Sequence, residues 1–518
     1  MFSSCRIRPL GTLKLRAVNL LLLAFSVFQT SMQGSVPEST LTIDQWEALI
    51  AQPPEPDHRA TKIEHLRRQL ENNELTLEER STLLRTLAYL ESLQPNADFL
   101  EIKNRLSTAI QVAQILPPEQ AAPYVAKARL NQSALARRFM EKELQKAVLY
   151  GLKQEDFFRI MATYYQPAQT AIKQGMEHTE DPLMQLHFHL AASSLAYTFA
   201  HCTQAFTHDS PSSMALFKAS AAEARTVLSG INSCLEDQKA LSAKELAVLA
   251  SLRRSALNNL AATALYISLP DDALNNLLND LVRAAEDPDC PLRDRVACYS
   301  TALHIARTAL PMEARDAFLA TTTPPATALF NSILGQQKNI SAALAGGSSM
   351  LSLLDEFSHF VSTLVLSLLD QGETEQAFEI VRRSKWSTLS SLIAPPVSDF
   401  DALIDRLEAR DALLVEQFLS HEGLVQFLLS GEAPLSVVRN EQNSAHSLAS
   451  GVAEYFTAAS QASPVRLLLR NRPQLYTDFL MQGQSLYVDI FETSGIDREF
   501  SRYDEILIAP HLILAYIP

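Results

Sequence analysis

The residues of this chain that could do chemistry are few and badly placed for it. Cys5 lies near the N-terminus, Cys202, Cys234, Cys290 and Cys298 follow in stretches of helical periodicity, and no cysteine comes after Cys298. A cysteine nucleophile needs a thiolate held by an imidazole and donors for an oxyanion. Four widely spaced thiols inside helical patterns read instead as buried free cysteines, with Cys290 and Cys298 the one local pair for a disulfide. His187 and His189 are two residues apart, so on a helix they face different sides and cannot share an ion. His201 comes nearly four turns later, and His421 and His511 read as loop histidines without partners. No Gly-x-Ser-x-Gly elbow, His-Glu-x-x-His, Cys-x-x-Cys or dinucleotide glycine pattern occurs. Ala345-Gly346-Gly347-Ser348-Ser349 lacks the Lys-Ser/Thr ending of a phosphate loop and reads as a joint between helices. Accordingly no catalytic residue, cofactor-binding residue, cofactor or metal ligand is assigned.

Composition suits long helices. The chain has 518 residues, 47% hydrophobic and 20% charged, enough for several domains with real cores. Only 14 glycines argue against glycine-rich phosphate loops and turn-dense all-β folds. A formal net charge of −14 repels phosphate backbones and excludes nucleic acid as a general partner. Residues 1–34 read as a secretory signal: Arg6, Arg8, Lys14 and Arg16 precede the apolar run Ala17 to Phe28, which is short for a bilayer span. The small-x-small pattern is not clean between Gln29 and Ser35, so an uncleaved anchor or a membrane-proximal amphipathic helix stays open beside cleavage. The expectation is an exported or envelope-associated protein, with a cytoplasmic one as the alternative.

The elements that must position any site are helical for most of the chain. Residues 41–175 form an N-terminal helical region in which Thr76-Leu77-Glu78-Glu79 reads as a helix cap with acids in the first turn. Pro95, Pro117-Pro118 and Pro123 punctuate its helices, and Tyr164-Tyr165 end it before Pro167. Residues 181–396 read as four helical hairpins: Leu183 to Phe206 with Ser212 to Leu228, Leu241 to Leu269 with Asp271 to Glu286, Leu292 to Leu310 with Arg315 to Leu334, and Leu351 to Leu369 with Thr374 to Ala394. Their spacing is loose against a strict 34-residue repeat, so the expectation is a degenerate tetratricopeptide-like solenoid. In the last helix Ala377, Ile380, Val381, Thr388, Leu389 and Leu392 make an apolar face, and Arg382, Arg383 and Lys385 lie on the other. Gly372 supplies a glycine stop before it, and Pro395-Pro396 end helical geometry.

Residues 399–518 change character. A helical linker, Asp399 to Ala409, precedes two apolar runs, Ala412 to Leu419 and Leu424 to Leu429, parted by His421-Glu422-Gly423 as a β-hairpin. Ala433 to Val438 adds a third strand, helix follows from Ser444 to Ser460, Leu475 to Met481 and Ser485 to Phe491 read as helical or mixed pieces, and Glu505 to Ala509 is a short buried strand.

Taken together, Ala377-Phe378-Glu379, Arg382-Arg383-Ser384-Lys385, Phe418, Phe427, Leu475-Tyr476 and the run Pro510, Leu514, Pro518 resemble a tetratricopeptide helix leading into a CHAT domain, the caspase-related cysteine-peptidase fold. The chain departs from that pattern where Arg382 replaces an acid and where His511-Leu512 replace an Asp-Gly turn. The resemblance covers Leu351 to Pro518 and implies a partial α/β module in which Leu413 to Leu419 and Glu505 to Ala509 share one sheet. In that family the catalytic histidine and cysteine come from later strands, so the resemblance implies a module cut short before them. The expected function is a non-catalytic helical-repeat scaffold that takes a protein or peptide in a concave groove and offers unpaired strand edges. Alternatives are the N-terminal part of a split or interrupted CHAT-family peptidase, and an envelope-associated helical protein without peptidase ancestry.

Overall fold

The computed structural model describes residues 43–510 apart from 52–53, 55, 73, 95, 151–153, 208–209, 237–240, 336–349, 390–399, 441–447 and most of 449–480. The signal-like segment, Cys5, the joint at 345–349, most of the Ser444 to Ser460 helix, Leu475-Tyr476 and His511 lie outside these residues.

The N-terminal region contains α1 (Ile43–Ala51), α2 (Pro56–Leu70), α3 (Leu77–Ser92), α4 (Phe99–Ala113), α5 (Pro118–Tyr150), α6 (Gln154–Ile160) and α7 (Gln166–Glu177). Thr76 caps α3 as expected: its hydroxyl accepts from the Glu79 N–H while the Glu79 carboxylate accepts from the Thr76 N–H. Trp46 is 1% exposed against Leu66, Leu83, Leu87 and Leu90, and its Nε1 donates to Gln69 Oε1 at 3.2 Å. Two proline expectations need correction. Pro123 lies inside α5, close enough to its start that the missing N–H removes a single early hydrogen bond. Pro167 does not end the region either, because a π-helical turn at Met161–Tyr165 shifts the backbone register just before it and the helix runs on as α7.

The middle of the chain folds as α8 (Pro182–Thr207), α9 (Ser210–Glu236), α10 (Ala243–Ala264), α11 (Asp271–Glu286), α12 (Leu292–Ala309), α13 (Met312–Gly335), α14 (Met350–Asp370) and α15 (Thr374–Leu389). Each expected pair packs together, and α8, α10, α12 and α14 also pack one against the next. Small residues bring α8 and α9 close, with Ser193 Oγ donating to the Ser220 carbonyl at 3.0 Å and Ser220 Oγ returning to Ser193 at 2.9 Å. Gly372 ends α14 at φ +80°, and the Glu373 N–H reaches back to the Leu368 carbonyl. Cys202, Cys234, Cys290 and Cys298 are all free, so the Cys290–Cys298 bridge is not formed.

After α16 (Phe400–Glu408) come β1 (Ala412–Ser420), β2 (Gly423–Leu429), β3 (Ser436–Asn440) and β4 (Glu505–Ala509), in sheet order β3-β2-β1-β4. β1 and β2 form the expected hairpin, with Phe418 opposite Val425. β3 starts three residues later than the sequence suggested, after Pro434. β4 lies parallel to β1, Leu414 opposite Leu507, so the two runs expected to share a sheet do so. Strand alternation sends Ala412, Leu414 and Phe418 toward the helices, where Phe360, Phe378 and Leu407 complete one core that reaches back to Phe217. Leu413 and Val415 face the other way, against Ile496, Phe491 and Phe500. Covered on both faces, β1 and β2 need the near-continuous apolar runs that the sequence displays, whereas β4, expected as a buried strand, lies at the sheet edge and is partly exposed.

Glu416 interrupts the helix-facing row, and Lys385 answers it. The ammonium donates to Glu416 Oε1, to the Gln417 carbonyl at 2.6 Å and to the Ala509 carbonyl at 3.0 Å, using all three protons. Lys385 is therefore not on a solvated face, a correction to the helix reading that follows from α15 docking across β1 and β4. Burial pushes Lys385 down and Glu416 up, and the attraction of the pair opposes both shifts. Lys385→Met should cost about 3–5 kcal/mol by stranding Glu416, whereas the Lys385→Met/Glu416→Leu double variant should lie within about 1–2 kcal/mol of wild type. Urea midpoints of the three proteins test this, and a double variant as destabilised as Lys385→Met would contradict it.

Candidate functional site

Where α12 and α14 meet the β1–β2 turn, three histidines converge with an ion-pair network. His304 and Arg307, three residues apart, share a face of α12; His359, Ser362 and Asp370 fall on one face of α14 at helical intervals. The turn residues His421 and Glu422 drop between these faces.

His421 Nε2 lies 3.2 Å from His304 Nδ1 and 3.4 Å from Glu422 Oε1. On its other side, His421 Nδ1 is 2.9 Å from Ser362 Oγ, which also accepts the His421 backbone N–H at 3.3 Å. The His359 ring stands 4.8 Å from that of His421 and 5.7 Å from that of His304, centroid to centroid. Arg307 donates to both Glu422 oxygens at 2.6 and 3.0 Å and to Asp370 at 2.6 Å, and Arg439 on β3 donates to the other Asp370 oxygen at 2.7 Å. The site thus joins two helices to the β1–β2 turn and to β3.

Its electrostatics follow from partial burial and crowding. Burial, then the adjacent His421 ring, pushes His304 down to about 4. Burial, then His421 and His304, pushes His359 to about 4 as well, although this residue keeps a solvent-exposed edge. Burial alone would raise Glu422, but hydrogen bonds from His421 and Arg307 outweigh it and hold the carboxylate well below its usual range. A neutral imidazole pair beside a fixed carboxylate can accept a proton, relay one, or ligate a cation.

The other residues singled out in the sequence do not come together. His189 Nδ1 pairs with Glu223 at 2.7 Å, while burial lowers His187 at a separate position on α8. His201 packs edge-on against Tyr197, Phe217 and Tyr266. Burial pushes the Cys202 and Cys298 thiols up to about 12, the reverse of what a nucleophile requires. His421, expected to lack a partner, has several, and His304, His359 and Arg307, which no sequence motif marks, join it. Their i, i+3 spacings were readable, but nothing local tied the helices to a turn more than fifty residues away. A second concave feature, a cleft of about 360 Å³ between α4, α5 and α7, is lined by Phe99, Lys103, Arg129, Gln132 and Pro167. Among the described residues no helix is long and apolar enough to cross a membrane. Comparison with protein-family models, curated proteins and solved structures found no match to this chain.

The depressed histidines carry a pH prediction for the metal-free protein. Between pH 6.5 and about 4 the unfolded chain binds protons that His304 and His359 refuse in the fold, so stability falls as pH falls through that window. Arg307, Asp370, Glu422 and His421 are the charged or titratable groups facing the pair. Urea midpoints at pH 7 and 4.5 should differ less in His359→Gln than in wild type; an unchanged difference would show that this cluster contributes nothing to acid sensitivity.

Proposed function

We propose that this chain is a helical-repeat interaction scaffold whose C-terminal sheet is a CHAT-like module acting without peptidase chemistry of its own. The observation that carries this reading is the outer edge of β4. Among the described residues no strand pairs with it, and Ile508 on that strand is 46% exposed. An apolar strand with free backbone donors and acceptors is a template for an added strand from a partner.

Three further features favour the reading. The packing of α8, α10, α12 and α14 in series is what repeat-type hairpin stacks use to build an extended surface. The cleft between α4, α5 and α7 offers Lys103 and Arg129 beside Phe99 to an extended peptide. The pairing of β1 with β4 puts Leu413 to Leu419 and Glu505 to Ala509 side by side in one sheet, as the resemblance to CHAT domains implies.

The free parallel edge also favours a second reading, that a separately made chain supplies the strands bearing a histidine and a cysteine. The test is selection of extended peptides from a displayed library, followed by rebinding to Leu507→Pro. Loss of most binding in that variant is expected, because proline removes a ladder donor and strains the strand. Binders indifferent to Leu507→Pro, or peptide cleavage by the purified chain that disappears on replacing Cys202, Cys234, Cys290 or Cys298, would overturn the scaffold. Cleavage that arises only after a second polypeptide is added would select the split enzyme.

A further inference from the structure

We propose that His304, His421 and Glu422 form a binding site for one divalent zinc-type cation that clamps α12 to the β1–β2 turn. The ligand atoms, one from each residue, lie within 4.8 Å of one another. Two of the separations, 3.2 Å between the imidazole nitrogens and 3.4 Å from His421 Nε2 to Glu422 Oε1, match the edge of a tetrahedron about a metal with ligand bonds near 2.05 Å, which is about 3.3 Å. The third edge closes with a small movement of the turn. Two imidazoles and a carboxylate are a donor set that zinc accepts, with the fourth position left for water or a partner's side chain.

The surroundings supply what such ligands need. Ser362 holds the nitrogen of His421 that faces away from the ion, the usual way of fixing a ligating ring. Arg307 orients the Glu422 carboxylate, whose Oε1 retains a second lone pair for the ion. The Arg307 and Arg439 charges are balanced by Asp370 and Glu422, so the cation enters a locally neutral network rather than a positive one. His421 keeps a quarter of its side chain exposed, which gives an entry path.

The three ligands and their supports Ser362 and Arg307 come from the helical body or the hairpin turn and make no use of the β4 edge, so the site stands or falls apart from the scaffold reading. The test is titration of the chelator-treated full chain with ZnCl₂ by calorimetry and with CoCl₂ by visible absorption. Expected are one ion per chain, the intense ligand-field bands of four-coordinate cobalt, and a higher Tm in saturating zinc. His304→Ala and His421→Gln should abolish saturable binding, and Ser362→Ala should weaken it about tenfold. His189→Ala, at a separate helix position, should bind as wild type does. Should the helix variant His304→Ala fail to fold, the turn variant His421→Gln and the wild-type cobalt spectrum still decide the matter. Absence of one-to-one binding in wild type, or binding that survives both histidine replacements, would overturn the site.

Discussion

The Lys385 ammonium is the point at which helices and sheet become one body. From α15 it donates to a carboxylate and a carbonyl on β1 and to a carbonyl on β4. A parallel strand pair cannot be joined by a short turn, so β4 must return to β1 from a crossover far along the chain. A cation spanning both strands favours that return, since β4 in this register supplies the Ala509 carbonyl that takes the third ammonium proton. The cost of desolvating two charges is offset only when every proton and lone pair is used, and the lysine uses all three protons. The pair therefore contributes more to which structure forms than to how stable it is.

The second polar joint, around Arg307, works differently. Its guanidinium is 5% exposed and bridges Asp370 at the end of α14 to Glu422 in the hairpin turn, while Arg439 ties Asp370 to β3. A planar fork with five donors can satisfy two carboxylates from different elements at once, which a lysine could not. The histidine cluster sits beside this bridge and inherits its rigidity. Rings held by a preset network lose little entropy when they take up a ligand, and that gives the cluster chemical meaning beyond packing.

The apolar core explains why these joints face each other. Buried residues run without a break from Phe217 and Leu257 through Phe360 and Phe378 to Phe418 and Phe427. The helix-facing row of β1 is apolar except for Glu416 and the terminal Ser420, so burial brings α15 onto the sheet and the lysine then decides where it stops. Sheet edges are left less protected: β4 is short, and its Glu505 is the charged residue that discourages uncontrolled pairing.

What the amino-acid order determined by itself is local. The Thr76 cap, the Gly372 stop, the four hairpin pairs and the β1–β2 hairpin were all legible, because each depends on contacts within a few residues or on a hydrophobic period that one element displays alone. The β1–β4 pairing was legible only through resemblance. Tertiary structure decided that Lys385 is buried, that Pro123 and Pro167 are carried inside helices, and that His304, His359 and His421 meet. The buried lysine and the meeting of the histidines depend on partners between 31 and more than 100 residues away, such as Lys385 with Glu416 and His304 with His421. No periodicity encodes such distances; they follow from how helices stack and where a strand returns.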